Sequence, residues 1–206
     1  MGESDYSAVL EALKRNRMEA FYVDTKEEAR AFVEELIPEG AITAVGGSVT
    51  LDEAGIFGLL RSEKYRFLDR YQEDLSKEQK AELYQQCFAA DWLLASANAI
   101  TEDGWIYQVD GVGTRVAPMI FGPEHVLIVA GINKLVPDMD AAVARVRTIA
   151  APKNAVRLCK KTPCTVTGTC EDCLSPDRIC CTYTAFGFQR IPGRIKVLLV
   201  GEPLGY

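Results

Sequence analysis

The chain has one histidine and nothing close to the roughly 20 consecutive apolar residues that a helix needs to cross a bilayer; its most apolar stretches, Val126 to Ile132 and Val197 to Val200, are far shorter. A lone imidazole excludes a catalytic metal site built from several histidines, and the missing run gives no expectation of membrane contact. Met1 to Asp5 contain two acids and no basic cluster leading into an apolar stretch, so no secretory signal is read there and the cytoplasm is the expected location. Surplus cations are missing as well: 23 lysines and arginines against 29 acids leave a net charge of −6, the wrong sign for displacing the counterions of a nucleic acid. Neither G-x-G-x-x-G nor G-x-x-x-x-G-K occurs, and no internal repeat or low-complexity linker is present.

With 206 residues, 48% of them hydrophobic and 25% charged, the composition fits one domain spanning residues 1–206, large enough to fold without disulfides. Apolar spacing predicts helices over Ser7 to Arg17, from a cap at Asp24 or Thr25 to Pro38, from Thr50 or Leu51 onward, over Ser76 to Cys87 and over Met139 to Ile149. Ser76 and Gln79 fit a capping box. Strands are predicted at Met18 to Val23, Ala41 to Val45, Tyr65 to Leu68, Trp92 to Ala95, Trp105 to Val109, His125 to Ala130 and Ile195 to Val200. Strands separated by helices imply an α/β sheet covered on both faces. Asp103-Gly104 between two apolar runs reads as a hairpin turn, Cys87 as a core residue, and His125 as structural.

Three polar segments carry the candidate chemistry. Gly46 and Gly47 follow an apolar strand and precede a helix, so their backbone N–H groups can approach an anion, with the Ser48 and Thr50 hydroxyls beside them; the same pair can equally mark a plain strand-to-helix turn. Asn98 to Gly104 lead through a short strand to Asp110-Gly111-x-Gly113-x-Arg115, where two opposite charges in irregular backbone can hold a loop, bind a substrate, or do both. Asn133 and Lys134 close a strongly apolar strand, where open α/β sheets place ligand loops; Lys134 could meet an anion there or simply solvate the loop.

The ordered run Asn98 to Thr101, Asp110-Gly111-x-Gly113-x-Arg115, Phe121-Gly122-Pro123-x-x-Val126 and Gly131-x-Asn133-Lys134 closely resembles the LUD domain family, named for lactate utilisation and formerly a domain of unknown function. Gly47 to Thr50 with Glu53 and Gly55 fit its first loop, and the resemblance runs from the N-terminal helices to the end of the chain. It implies a three-layer α/β/α sandwich of the ribose-phosphate isomerase and CoA transferase kind. It also implies a link to oxidation of lactate or a related hydroxy acid, and partners among other lactate-utilisation subunits. Thr114 stands where the family usually has Asn, which removes one amide contact, and the ferredoxin-type cysteine run of some members is absent. The resemblance carries no settled catalytic residues; it implies that Ser48, Glu53, Asp110 and Arg115 face one pocket.

Six of the seven cysteines fall between residues 159 and 181, an irregular insertion before the last strand. The cytoplasm keeps thiols reduced, so disulfides do not account for them. Cys164, Cys170, Cys173 and Cys180 resemble the C-terminal segment of one branch of the same family. Independently, the C-x-x-C turn at Cys170 and Cys173 with two flanking thiols suits Zn²⁺ or an iron–sulfur cluster, whose net negative charge Lys160, Lys161 and Arg178 can balance. Free buried or redox-active thiols are the competing reading.

The leading expectation is a protein that binds a small anionic metabolite at Gly46, Gly47, Ser48, Thr50, Asn98, Asp110, Gly113, Arg115, Asn133 and Lys134, with a metal on the four cysteines. One rival is an isomerase or acyl/CoA-transferase-like enzyme with Glu53 or Asp110 as base or nucleophile and Arg115 or Lys134 holding the anion. The other is a noncatalytic redox-sensing or assembly subunit. Homo-oligomerisation is compatible with all three.

Overall fold

Short apolar strands alternating with amphipathic helices bury most when the strands lie side by side under helices on each face. The computed structural model describes residues 3–206 and has this arrangement; Met1 and Gly2, part of the segment read above for a signal, lie outside the described residues. In chain order the helices are α1 (Glu3–Arg15), α2 (Lys26–Leu36), α3 (Val49–Glu53), α4 (Ile56–Leu60), α5 (Lys77–Gln86), α6 (Val116–Ile120), α7 (Met139–Arg145), α8 (Ala151–Arg157) and α9 (Cys164–Thr167). The strands are β1 (Glu19–Val23), β2 (Ile42–Val45), β3 (Arg66–Phe67), β4 (Trp92–Ala95), β5 (Ala99–Thr101), β6 (Ile106–Asp110), β7 (His125–Gly131), β8 (Leu135–Val136), β9 (Thr182–Phe186) and β10 (Ile195–Val200). Among these residues no helix is long and apolar enough to cross a membrane.

The local signals act as expected. Thr25 accepts from the Glu28 amide and Ser76 from that of Gln79, each closing a capping box. The helix predicted over Met139 to Ile149 continues through a wider π turn at Val146–Ala150 into α8.

Six strands pair in the order β1-β10-β7-β4-β2-β3, all parallel. Alternate residues of the central strands face opposite ways, so each face has its own core. Leu93, Val126, Ile128 and Val197 pack with Val9, Leu10 and Leu13 of α1. Leu94, Leu127, Val129 and Leu198 pack with Val33 of α2, Leu51 of α3 and Ile56 and Leu60 of α4.

A second, four-stranded sheet, β8-β5-β6-β9, joins the α1 face through Ile100 and Ile106. Its other side packs Ala99 and Tyr107 against Ala142, Val146 and Ala151 of the α7–α8 helix. The expected sandwich is therefore present, with a small sheet set into one of its outer layers. The β5–β6 turn is the predicted Asp103-Gly104 hairpin: Gly104 has φ +83°, and a Cβ there would meet the Ala12 carbonyl carbon at 2.7 Å. His125 opens β7, and its ring packs against Trp92 with centroids 4.4 Å apart and planes tilted by 38°.

Leu127 is fully buried in the middle of the parallel sheet. Leu127→Ala is expected to cost about 2–5 kcal/mol in urea unfolding with an unchanged m-value.

Candidate functional site

Parallel pairing puts the carboxyl ends of β2, β4, β7 and β10 on one edge, and the segments that leave them form the walls of a cavity of about 380 Å³. The segment after β2 supplies Gly47, Ser48 and Thr50, the segment after β4 supplies Ser96 and Asn98, and the segment after β7 supplies Lys134. The Asp110–Arg115 loop at the end of β6, the end of α8 and the C-terminal Tyr206 complete it.

The glycine turn serves a close approach of side chain to backbone. A Cβ on Gly46 would sit 2.5 Å from Arg115 Cγ, so the arginine lies directly across that residue. Ser48 caps α3 by accepting from the Leu51 amide at 3.2 Å.

Asp110 and Arg115 hold their loop and line the cavity. The Asp110 carboxylate accepts from the amides of Gly113 and Arg115 at 3.0 and 3.3 Å, and lies 3.6 Å from Arg115 Nε. Arg115 Nη2 donates to the Val109 carbonyl at 2.6 Å and to Asn98 Oδ1 at 3.1 Å. Asn98 Oδ1 also accepts from the Val109 amide at 2.8 Å, so one amide oxygen joins the two loops.

Deeper in the cavity is a polar cluster that the sequence reading only half identified. Lys134 Nζ donates to Thr50 Oγ1 at 2.7 Å and to Ser96 Oγ at 2.8 Å. Ser96 donates in turn to Thr50, and Thr50 to the Leu204 carbonyl, each at 3.3 Å. Burial, followed by the nearby Arg145 and Arg115 charges, pushes the Lys134 ammonium down to about 7, with Glu53 opposing. The cavity wall also carries Arg70, Arg157, Lys160 and Arg178, while Asp110 has the one carboxylate side chain among its described lining residues. Arg70 Nη1 is buried with no hydrogen-bond partner.

Of the predicted ligand residues, Gly47, Ser48, Thr50, Asn98, Asp110, Arg115 and Lys134 line this one cavity. Four of the predicted residues stand behind the wall. Gly46 underlies Arg115, and the Gly113 amide is taken by Asp110. Asn133 receives the Leu204 amide and donates to the Gly205 carbonyl, while the Glu53 carboxylate accepts from the Gly205 amide at 2.6 Å. Asn133 and Glu53 thus fasten the C-terminal tail, whose Tyr206 reaches the cavity. Ser96, Arg70, Arg157, Lys160 and Arg178 were not predicted to belong to it; only the composition of the segment between Leu158 and Arg178 hinted at local positive charge.

All seven cysteines are unpaired thiols, with Cys87 buried in the core. Cys164, Cys170, Cys173 and Cys180 line a second, small cavity of about 20 Å³. Burial and then the neighbouring Cys170 push the Cys180 thiol up to about 11. Arg178 spans the segment, donating to the Cys173 and Cys180 carbonyls at 2.7 Å each. Among the described residues, no three His, Cys, Asp or Glu side chains are set at metal-binding distance. The two cavities share Arg178 and Ile179 as a wall, and the Cys181 thiol lines the larger one.

The Lys134 shift has a defined sign. Between about 7 and the ordinary lysine value the unfolded chain holds a proton that the folded chain does not, so the lysine's penalty on stability is complete below about 7 and fades as pH rises. Relative to Lys134→Met, the wild type is expected to gain up to about 1.4 kcal/mol per pH unit across that window, read from urea melts at a series of pH values.

A crystal structure of a DUF162 family protein from Deinococcus radiodurans is similar in fold, with TM-score 0.53 and 12% identity over 97% of this chain and 99% of that one. A partial likeness to eIF2B beta from Chaetomium thermophilum, 13% identical over 56% of this chain and 44% of that one, has a TM-score of 0.39, too low to bear on the fold. No curated protein matches. The family model of the LUD domain matches residues 6–200, nearly the whole chain, and the protein belongs to the LUD domain family.

Proposed function

We propose that the protein binds a small metabolite carrying more than one anionic group, within the hydroxy-acid chemistry of a family associated with lactate utilisation. The observation that carries this is the charge of the cavity: four arginines and Lys160, besides Lys134, and one side-chain carboxylate line about 380 Å³, a volume suited to a small ligand, in a chain of net charge −6. The carboxylate is engaged by two amides and faces Arg115, so it offers little repulsion to an anion. Arg70 has an unpartnered donor and Arg157 is held by Asn154 and Tyr206 rather than by an acid, which leaves both charges for a ligand.

The same contacts weigh on the rival roles. Asp110 and Glu53 each accept backbone N–H bonds that fix a loop or the tail, which favours holding over proton transfer for both. The location that fits this reading is the cytoplasm, with other lactate-utilisation subunits as partners, and a noncatalytic redox-sensing or assembly subunit is the alternative it competes with.

Calorimetric titration with lactate, phosphorylated hydroxy acids and inorganic phosphate tests the cavity. Binding is expected for at least one of them, to weaken with salt, and to fall about 10- to 100-fold in Arg157→Ala. Heats indistinguishable from buffer for every anion would remove the proposal.

We further propose that Cys164, Cys170, Cys173 and Cys180 hold Zn²⁺ or an iron–sulfur cluster. The support is that all four predicted thiols line one small cavity beside Arg178. Since no three of them stand at ligand distance, the sulfurs must draw inward to the roughly 2.3 Å that zinc–thiolate bonds require. Protein purified anaerobically is expected to contain about one zinc per chain, or iron and sulfide with broad visible absorption. Metal content no higher in the wild type than in Cys170→Ser with Cys173→Ser would instead support free thiols.

A further inference from the structure

Lys134 is 3% exposed, yet among the described residues it has no ion-pair partner. A lysine buried only to hold a fold together ordinarily meets a carboxylate, because the charge is otherwise too costly to bury. Here its nitrogen meets two buried hydroxyls, Thr50 Oγ1 and Ser96 Oγ, while lining the cavity. The charged groups that face it from neighbouring elements are Arg115 and Arg145, which disfavour its protonation, and Glu53, which favours it but is bonded to the Gly205 amide.

This environment suits an amine more than an ammonium ion. Two N–H bonds to hydroxyl oxygens persist when the third proton leaves, and the remaining tetrahedral direction then carries a lone pair. The hydroxyls are themselves chained, Ser96 to Thr50 to the Leu204 carbonyl, so their own donors stay satisfied whether the nitrogen is an ammonium or an amine. Burial and the two arginines bring the lysine down to about 7, where a large share of the molecules hold the free amine at neutral pH.

We infer that Lys134 is a nucleophile that condenses reversibly with the carbonyl of a small 2-oxo acid, whose carboxylate is held by the arginines of the same cavity. The inference rests on the anion-binding reading above and names its substrate class. The nitrogen lone pair forms a bond to the carbonyl carbon as the carbon–oxygen π pair moves to oxygen. The nitrogen passes one of its two protons to the oxygen and solvent supplies a second, so the oxygen leaves as water and a protonated imine remains. Addition of water reverses the sequence, and no electrons are gained or lost.

The test is reductive trapping: the full-length protein is incubated with pyruvate and sodium cyanoborohydride at neutral pH, digested, and mapped by peptide mass, with pyruvate binding measured by calorimetry in parallel. Saturable labelling at Lys134, competed by lactate, is expected. Lys134→Arg is expected to remove it while keeping the native circular dichroism spectrum, and Ser96→Ala to slow it about tenfold or more. Binding of pyruvate without label on Lys134 would overturn the nucleophile and leave the cavity reading intact. Neither binding nor label would overturn the nucleophile and count against the cavity reading too. Label spread evenly over surface lysines such as Lys153 and Lys77 would likewise overturn it. Because the label is mapped on the wild type, the outcome does not depend on the folding of any variant.

Discussion

Parallel pairing of six strands is the constraint on which the rest of this molecule depends. A parallel sheet sends every strand the same way, so the segments that leave β2, β4, β7 and β10 emerge together at one edge although they are far apart along the chain. The two apolar faces, one under α1 and the small sheet and the other under α2 to α4, make that edge rigid. Polar groups that would be solvated on separate loops are thereby held against one another in a shared cavity.

The consequence is an unusual concentration of cations for an acidic protein. Arg145 donates to the Asn98 and Asn133 carbonyls at 2.6 and 3.0 Å, tying the segments after β4 and β7 without any carboxylate. Arg115 ties Asn98 to Val109, with the Asp110 carboxylate 3.6 Å from its Nε. Carbonyl oxygens accept from both guanidinium groups without cancelling charge, and although Asp110 faces Arg115, both arginines depress Lys134. Arg145 holds the walls in place, while Arg115 does so and also offers its charge to the cavity.

The cysteine segment is attached to this site. The Cys181 amide donates to the Asp110 carbonyl at 2.9 Å, and β9 then continues along β6 as an antiparallel neighbour. Arg178 is bonded to the Cys173 and Cys180 carbonyls and forms part of the larger cavity. Arg178 and Ile179 are thus common to the walls of both cavities.

Periodicity, caps and the hairpin turn are local properties, and the sequence alone determined them: the main strands and helices, the capping box at Ser76, a cap at Asp24 or Thr25, the turn at Asp103-Gly104, and the LUD resemblance in the loops around Asn98, Asp110 and Asn133. It also singled out seven residues that line the cavity. Only the tertiary structure decided the order of the strands, the separation of β5, β6, β8 and β9 into their own sheet, and the folding of the tail onto Asn133 and Glu53. Ser96, Arg70 and Arg157 carry no local mark of function, because a hydroxyl or a guanidinium becomes part of a site through what lies opposite it in space. That relation arises from long-range packing, which no short window of sequence contains.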